Sequence, residues 1–271
     1  MKQLSLEEIK SIELNLLKEF HDVCTKLNLR YSLFAGTLLG AIRHQGFIPW
    51  DDDIDVAMPR DDYNKFLTYV LEKNNNVKFS TINCFNNNKF NILFTKIYNP
   101  STKLINIDQH NQEMPFGVFL DIFPYDYLAN DFDSSVKLFN KGRLSREILN
   151  AKVNSRFSKS RTHAWYFEPI RFVLFVIGKL TNRNLLINKI HKQIIRSEAK
   201  YSGNFAGAYR EKEILLSSQF EKLIKVKFEN LEVLCFKDYD SYLKGTYGDY
   251  MKLPPLEKRV THHPYICYSI E

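Results

Sequence analysis

Asp53 and Asp55 stand one residue apart in the run WDDDIDVAMP, Trp50 to Pro59. On a strand, successive side chains alternate faces, so these two carboxylates share one face while Ile54 and Val56 turn toward the core. Unit charges about 4 Å apart repel by roughly 4 kcal/mol at an effective dielectric near 20. A hard divalent cation, Mg²⁺ or Mn²⁺, would offset that repulsion, since it prefers carboxylate oxygens and leaves positions open for water and phosphate. Asp51 and Asp52 read as turn or outer residues. Three consecutive aspartates on their own describe a solvated turn, but Ile54, Val56 and Trp50 around them argue for a half-buried strand. An EF-hand does not fit, because the glycine and glutamate at its sixth and twelfth positions are missing.

A third carboxylate is expected at Asp121, in Phe119-Leu120-Asp121-Ile122-Phe123, where it shares a face with two phenylalanines. A carboxylate there is costly unless it is paired. The alternative is a buried Asp holding a backbone N–H or an Arg, and Asp126 is the fallback ligand. Gly36-Thr37 at the end of a short strand offers close backbone approach, a hydroxyl and helix-start N–H groups, which suit a phosphate. Arg43 and His44 follow the same turn and can meet the substrate or stay on the surface. Lys96, between apolar neighbours, can neutralise phosphate charge or be a surface lysine. Tyr247 and Tyr250 offer stacking surface for a base or a quaternary ammonium, although packing of the tail is the preferred reading. Of the His262-His263 pair, one can orient a phosphate or Asp249; metal ligation by the pair is not expected.

These residues need strands to hold them and helices to cover those strands. Ser5 and Glu8 form a capping box ahead of Leu6, Ile9, Ile12, Leu16, Phe20, Val23 and Leu27, which recur at helical spacing. Tyr31 to Ala35 and Ile54 to Met58 read as strands, Pro59 closes the second, and the helix of Tyr63, Phe66, Leu67 and Val70 follows. VKFSTIN, FNILFTKIY and GVFLDIF are further β runs, separated by turns. From about 132 to 200 the pattern turns helical and basic. The expected class is α+β, with a catalytic core over 1–131, a helical portion over 132–225 and a C-terminal segment over 226–271 packed on the core.

With 271 residues and 44% hydrophobic content the chain can bury a core. Lys and Arg total 38 against 31 Asp and Glu, a net +7 that favours anionic partners. The basic residues are scattered and form no nucleic-acid motif, so no nucleic acid is expected. Cys24, Cys84, Cys235 and Cys267 lie too far apart for a zinc site or a redox pair and fit a reducing compartment. The N-terminus lacks the apolar core of a signal peptide. The apolar run at Ile170 to Leu180 is shorter than the roughly 20 residues that span a bilayer. It reads first as a core helix; Arg161, Arg171, Lys179 and Arg183 around it leave peripheral membrane contact open.

The stretch YSLFAGTLLGAIRHQGFIPWDDDIDVAMPRDDYNKF, together with TKIYNPSTKLIN, FLDIFPYD, KFEN (227–230) and YGDYMKLPPLEKRVTHH, resembles the LicD family of phosphocholine transferases, relatives of the fukutin-type ribitol-phosphate transferases. That resemblance implies a nucleotidyltransferase-like mixed sheet with flanking helices. It also implies Gly36-Thr37 as the turn ahead of the metal strand, and Asp53, Asp55 and Asp121 as ligands of Mg²⁺. The implied activity moves a substituted phosphate, phosphocholine first, from a CDP-linked donor to a hydroxyl of a glycan or lipid-linked glycan, as in lipopolysaccharide or teichoic acid modification. The implied place is the cytoplasm, with the inner membrane face left open. Alternatives are nucleotidyl transfer releasing pyrophosphate, or a non-catalytic module that binds glycan or membrane.

Overall fold

Ser5 starts the first helix in the way its spacing from Glu8 requires. In the computed structural model its Oγ accepts from the Glu8 N–H at 3.2 Å, and the Glu8 carboxylate accepts from the Ser5 N–H at 2.8 Å. The structure describes residues 1–72, 77–87, 90–108, 111–152, 156–157, 165–194, 198–206, 210–261 and 263–270. Arg161 and His262 lie outside that set.

A short strand β1 (Lys2–Gln3) precedes helix α1 (Leu6–Lys26), whose buried stripe runs through Leu16, Leu17, Phe20, Val23 and Cys24. Next come β2 (Ser32–Leu33) and α2 (Ala35–His44), then β3 (Asp55–Pro59) and α3 (Arg60–Leu71). Four strands follow: β4 (Ser80–Ile82), β5 (Thr95–Tyr98), β6 (Thr102–Asn106) and β7 (Gln112–Glu113). The long strand β8 (Phe119–Tyr127) runs straight through Pro124, beyond the Phe119–Phe123 pattern legible in the sequence.

Among the described residues, the helices α4 (Phe132–Lys141), α5 (Arg143–Ala151), α6 (Glu168–Leu180) and α7 (Arg183–Ile194) come after it. The chain then returns to the sheet as β9 (Tyr201–Gly203) and β10 (Ile214–Leu216). A hairpin of β11 (Leu223–Phe228) and β12 (Leu231–Phe236), helix α8 (Tyr239–Tyr247) and strand β13 (Tyr265–Ser269) complete it.

The main sheet has the order β10-β9-β8-β3-β2, and β5 joins the same edge of β8 as β9, carrying β4 with it. β3 pairs parallel to β8 and antiparallel to β2, so the sheet is mixed and the class is α+β. Such a central strand should be apolar on both faces, and Val56, Ala57 and Met58 are indeed fully buried, as is Ile54 just ahead of it. Helices α1 and α3, together with the β11-β12 hairpin, cover one face through Phe20, Phe66, Phe228 and Phe236. A second sheet, β1-β13-β6-β7, ties the two chain ends together.

Asp126, on the opposite face of β8 from Asp121, gives both oxygens to Arg60, at 2.6 Å from Nε and 2.8 Å from Nη2. The fallback ligand is thereby spent on a structural ion pair. Burial raises the Asp126 pKa, and the Arg60 guanidinium opposes that shift. Arg60→Met would leave a buried carboxylate unpaired and cost about 3–5 kcal/mol in urea unfolding. Adding Asp126→Asn should recover most of that loss; full additivity of the two changes would disprove the pairing.

Candidate active site

Asp55 and Asp121 are register partners across the parallel β3-β8 ladder, and Lys96 is the partner of Asp121 across the antiparallel β5-β8 ladder. The three side chains therefore form a row on one face of three adjacent strands. Lys96 Nζ lies 2.5 and 2.7 Å from the two Asp121 oxygens and 3.4 Å from the centre of the Phe119 ring. The structure thus places Lys96 differently from either sequence expectation. It is neither on the surface nor on the wall of the cavity, but is a buried counter-ion for Asp121.

Asp53 precedes β3 on the same face as Asp55. Its ladder is already forming there, because the Asp121 N–H donates to the Ile54 carbonyl at 2.8 Å. Burial raises the pKa of Asp53, and His263 opposes that shift. Asp55 is raised well above the ordinary carboxylate range, first by burial and then by Asp53 and Asp121, with Lys96 opposing. Asp121 is raised by burial against the pull of Lys96.

Two backbone clamps fix Asp55. Its N–H donates to Thr37 Oγ1 at 2.8 Å, and its carbonyl accepts from the Phe34 N–H at 3.0 Å. Thr37 is buried, so its hydroxyl positions the strand and does not face a phosphate. Helix α2 begins at Ala35, which the sequence pattern assigns to the end of the strand, with Ala35 at φ 45° in the left-handed region. That is a strained conformation for a residue with a Cβ, at the point where strand turns into helix beside the acidic run. The α2 N-terminus is approached by a carboxylate: a Cβ built on Gly36 would come within 2.8 Å of Asp51 Oδ2.

Asp53 and Asp55 open into a cavity of about 950 Å³. Of the residues expected to meet substrate, Gly36, Arg43, Tyr247 and Tyr250 line it, whereas Thr37, His44 and Lys96 do not. His44 instead accepts from Arg43 Nε at 2.9 Å and abuts Trp50, while Arg43 Nη1 donates to the Tyr250 carbonyl at 2.7 Å. The segment after α8 forms one wall with Lys252, Pro254, Pro255 and Lys258. Packing and lining are therefore the same arrangement for Tyr247 and Tyr250. Residues 242–247, at the start of the YLKGTYGDYMKLPP stretch, belong to α8.

His263 is the residue that the sequence reading undervalued. Its Nδ1 lies 3.2 Å from Asp52 Oδ1 and its Nε2 3.9 Å from Asp53 Oδ2. Among the described residues, Asp52, Asp53 and His263 are the set of three whose donor atoms lie within 4.8 Å of one another. Burial lowers the His263 pKa, but Asp52 and Asp53 outweigh it and the net shift is upward. Behind this group, buried Glu13 has one oxygen without a hydrogen-bond partner. Its pKa is raised well above normal by burial and by Asp53, Asp52 and Asp51. Lys10, one turn earlier, donates to the Ile48 and Pro49 carbonyls at 3.2 and 2.9 Å and holds the acidic loop from behind. A signal for both existed: Lys10 and Glu13 fall on the stripe of Leu17, Phe20 and Cys24, where charges are out of place.

The donor set suits a hard divalent cation. Asp53 and Asp55 supply carboxylate oxygens at the cavity wall, and the surplus of negative charge around them is what such an ion offsets. Asp121 would join them by giving up one of its two contacts with Lys96.

The family model described as "LicD/FKTN/FKRP, nucleotidyltransferase domain" matches residues 28–148. A Haemophilus influenzae protein named lipopolysaccharide cholinephosphotransferase LicD is 31% identical over 285 aligned positions that cover the whole of both chains. An uncharacterized Rickettsia typhi protein is 44% identical over 63 residues, 23% of this chain and 20% of that one. An uncharacterized Caenorhabditis elegans protein is 46% identical over 55 residues, 20% of this chain and 14% of its own length. The end-to-end similarity and the domain match on the strands that carry Asp53, Asp55 and Asp121 agree: the chain belongs to the LicD family.

Proposed function

We propose that the chain transfers a substituted phosphate, phosphocholine in the first instance, from a CDP-linked donor to a hydroxyl of a cell-surface glycan such as lipopolysaccharide. The observation that carries this reading is the pair of half-buried carboxylates, Asp53 and Asp55, opening into a cavity of about 950 Å³ with aromatic and cationic walls. That volume suits a nucleotide-sized ligand. Family membership, through a full-length relative named for cholinephosphate transfer, supports the same chemistry.

Mg²⁺ or Mn²⁺ held by Asp53, Asp55 and Asp121 would supply the positive charge that lets an oxygen nucleophile approach an anionic phosphorus. Lys96 opposes the burial-driven protonation of Asp121 and holds it in register. Arg43, Lys252 and Lys258 face the donor diphosphate from the cavity wall. Phe34, Trp50, Phe123 and Tyr247 offer ring faces for cytosine or a quaternary ammonium. The stacking of Arg259 over Trp50, 5.5 Å from the ring centre, already uses that preference. In the reaction the acceptor oxygen bonds to the distal phosphorus, the phosphoanhydride bond breaks and CMP leaves. The hydroxyl proton passes to a carboxylate of the acidic group. A cytoplasmic setting is part of this reading: a nucleotide-linked donor would be supplied there, and four buried free cysteines suit a reducing compartment.

Asp53→Asn and Asp55→Asn should each lower kcat by roughly 10³-fold or more with the circular dichroism unchanged. Assay of CDP-choline turnover with Mg²⁺ should find CMP among the products; pyrophosphate in its place, or near-normal turnover in either variant, would reject the reading.

His263→Ala removes the partner that orients Asp52 and Asp53. It should lower kcat roughly 10–100-fold and raise the Mg²⁺ concentration needed for half-maximal rate. An unchanged metal dependence would exclude His263 from the site.

A further inference from the structure

Among the described residues, helix α6 packs on the body through one side. Gly178 packs against the Ile148 carbonyl and Lys152 of α5, and Leu174 joins the cluster around Leu149 and Leu186. Lys152 Nζ donates to the Gly178 and Thr181 carbonyls, which fixes the C-terminal end. The other side is apolar and open to solvent. Ile170, Val173, Ile177 and Leu180, spaced three and four apart, are 58, 54, 39 and 83% exposed. Trp165 and Tyr166, just ahead of the helix, are 82 and 59% exposed. Contiguous exposed apolar side chains of this kind, unlike scattered ones, mark a contact surface. The expectation of a core helix over this run is therefore corrected: α6 lies at the surface, with its apolar side outward.

Charge identifies what covers it. Residues 132–194 contain thirteen Lys and Arg against three Asp and Glu, a net +10, so the remainder of a +7 chain sums to −3. The positive charge of the protein is thus concentrated in the segment that exposes the apolar helix. Lys179 is exposed on α6 itself, and Leu185, Lys189 and Lys192 are exposed on one side of α7. A 13-residue helix is about 20 Å long, and among the described residues no helix is long and apolar enough to cross a membrane. An apolar face bordered by lysines, with Trp and Tyr at one end, is the composition of a helix that lies in the plane of a lipid headgroup layer.

We propose that α6, with Trp165 and Tyr166, docks the protein on an anionic lipid bilayer. The apolar side enters the headgroup boundary, while Lys179, Lys189 and Lys192 meet acidic headgroups. This assignment is independent of the chemistry at Asp53 and Asp55.

Flotation of the purified full chain on vesicles tests it, comparing phosphatidylcholine alone with phosphatidylcholine mixed with phosphatidylglycerol. The wild-type chain should float with the mixed vesicles at low salt and fall away as salt rises. Trp165→Ser combined with Ile170→Ser and Leu180→Ser should abolish flotation. Lys189→Glu with Lys192→Glu, a purely surface change that keeps the test decisive if the first variant misfolds, should weaken it roughly tenfold. Absence of flotation of the wild type at low salt, or flotation untouched by either variant, would overturn the proposal. So would a dimer in solution that the triple serine variant dissociates, since a second copy would then be the occupant of this face.

Discussion

Negative charge crowded onto one face of a buried strand is the constraint around which this structure is arranged. Asp53, Asp55 and Asp121 are each driven toward protonation by burial, and a site meant to work with ionised carboxylates must oppose that. The fold does so from two sides. Lys96 reaches Asp121 from the neighbouring strand, and His263 reaches Asp52 and Asp53 from the C-terminal segment. Neither alone neutralises the group, which leaves the surplus that a divalent cation would take up. A buried ion pair such as Lys96–Asp121 is weak evidence for added stability. Its clearer consequence is register: β5, β8 and β3 can slide past one another only by separating the row of charges.

Holding that face still requires backbone hydrogen bonds from elements distant in sequence. Thr37 and Phe34 clamp both sides of the Asp55 peptide group. Lys10, from α1, ties down the loop that leads into the aspartates. The turn after α2 is held by Glu229, whose N–H donates to the Gln45 carbonyl and whose carboxylate accepts from the Phe47 N–H at 3.0 Å. Glu229 packs so closely on Gly46 that a Cβ there would come within 2.0 Å of its Oε1, so a side chain at position 46 would have to push the Glu229 carboxylate aside. The KFEN motif is in this way a brace for the acidic loop, although it sits in a hairpin nearly two hundred residues away.

The C-terminal segment completes the site because β13 adds to the sheet of β1, β6 and β7 and carries His263 in with it. Tyr265 stacks on the His263 ring with the planes 2° apart, and Phe119 from β8 meets it edge-on. One aromatic residue therefore touches both counter-ions of the acidic face, since Phe119 also lies under Lys96.

Much of this was legible in the residues alone. Alternation placed Ile54 and Val56 in the core, and the row of strands and the capping box emerged where pattern and spacing put them, because local geometry dictates which way neighbouring side chains point. The resemblance of the acidic motif to a family was equally local. What spacing did not contain was partnership. Lys96 read as a surface or phosphate-facing cation, Thr37 as a phosphate hydroxyl and His263 as one of a pair that can orient a phosphate or Asp249, since each assignment depends on which strand lies beside which. Asp126 stands in the sequence as the fallback for Asp121, but β8 runs through Pro124 and turns the two to opposite faces. The apolar run of α6 likewise has one composition whether buried or exposed, and only its neighbours decide. Sequence fixes the chemistry a side chain can offer; the tertiary structure decides which groups share its low-dielectric surroundings, and in a buried site that proximity sets charge, protonation and role.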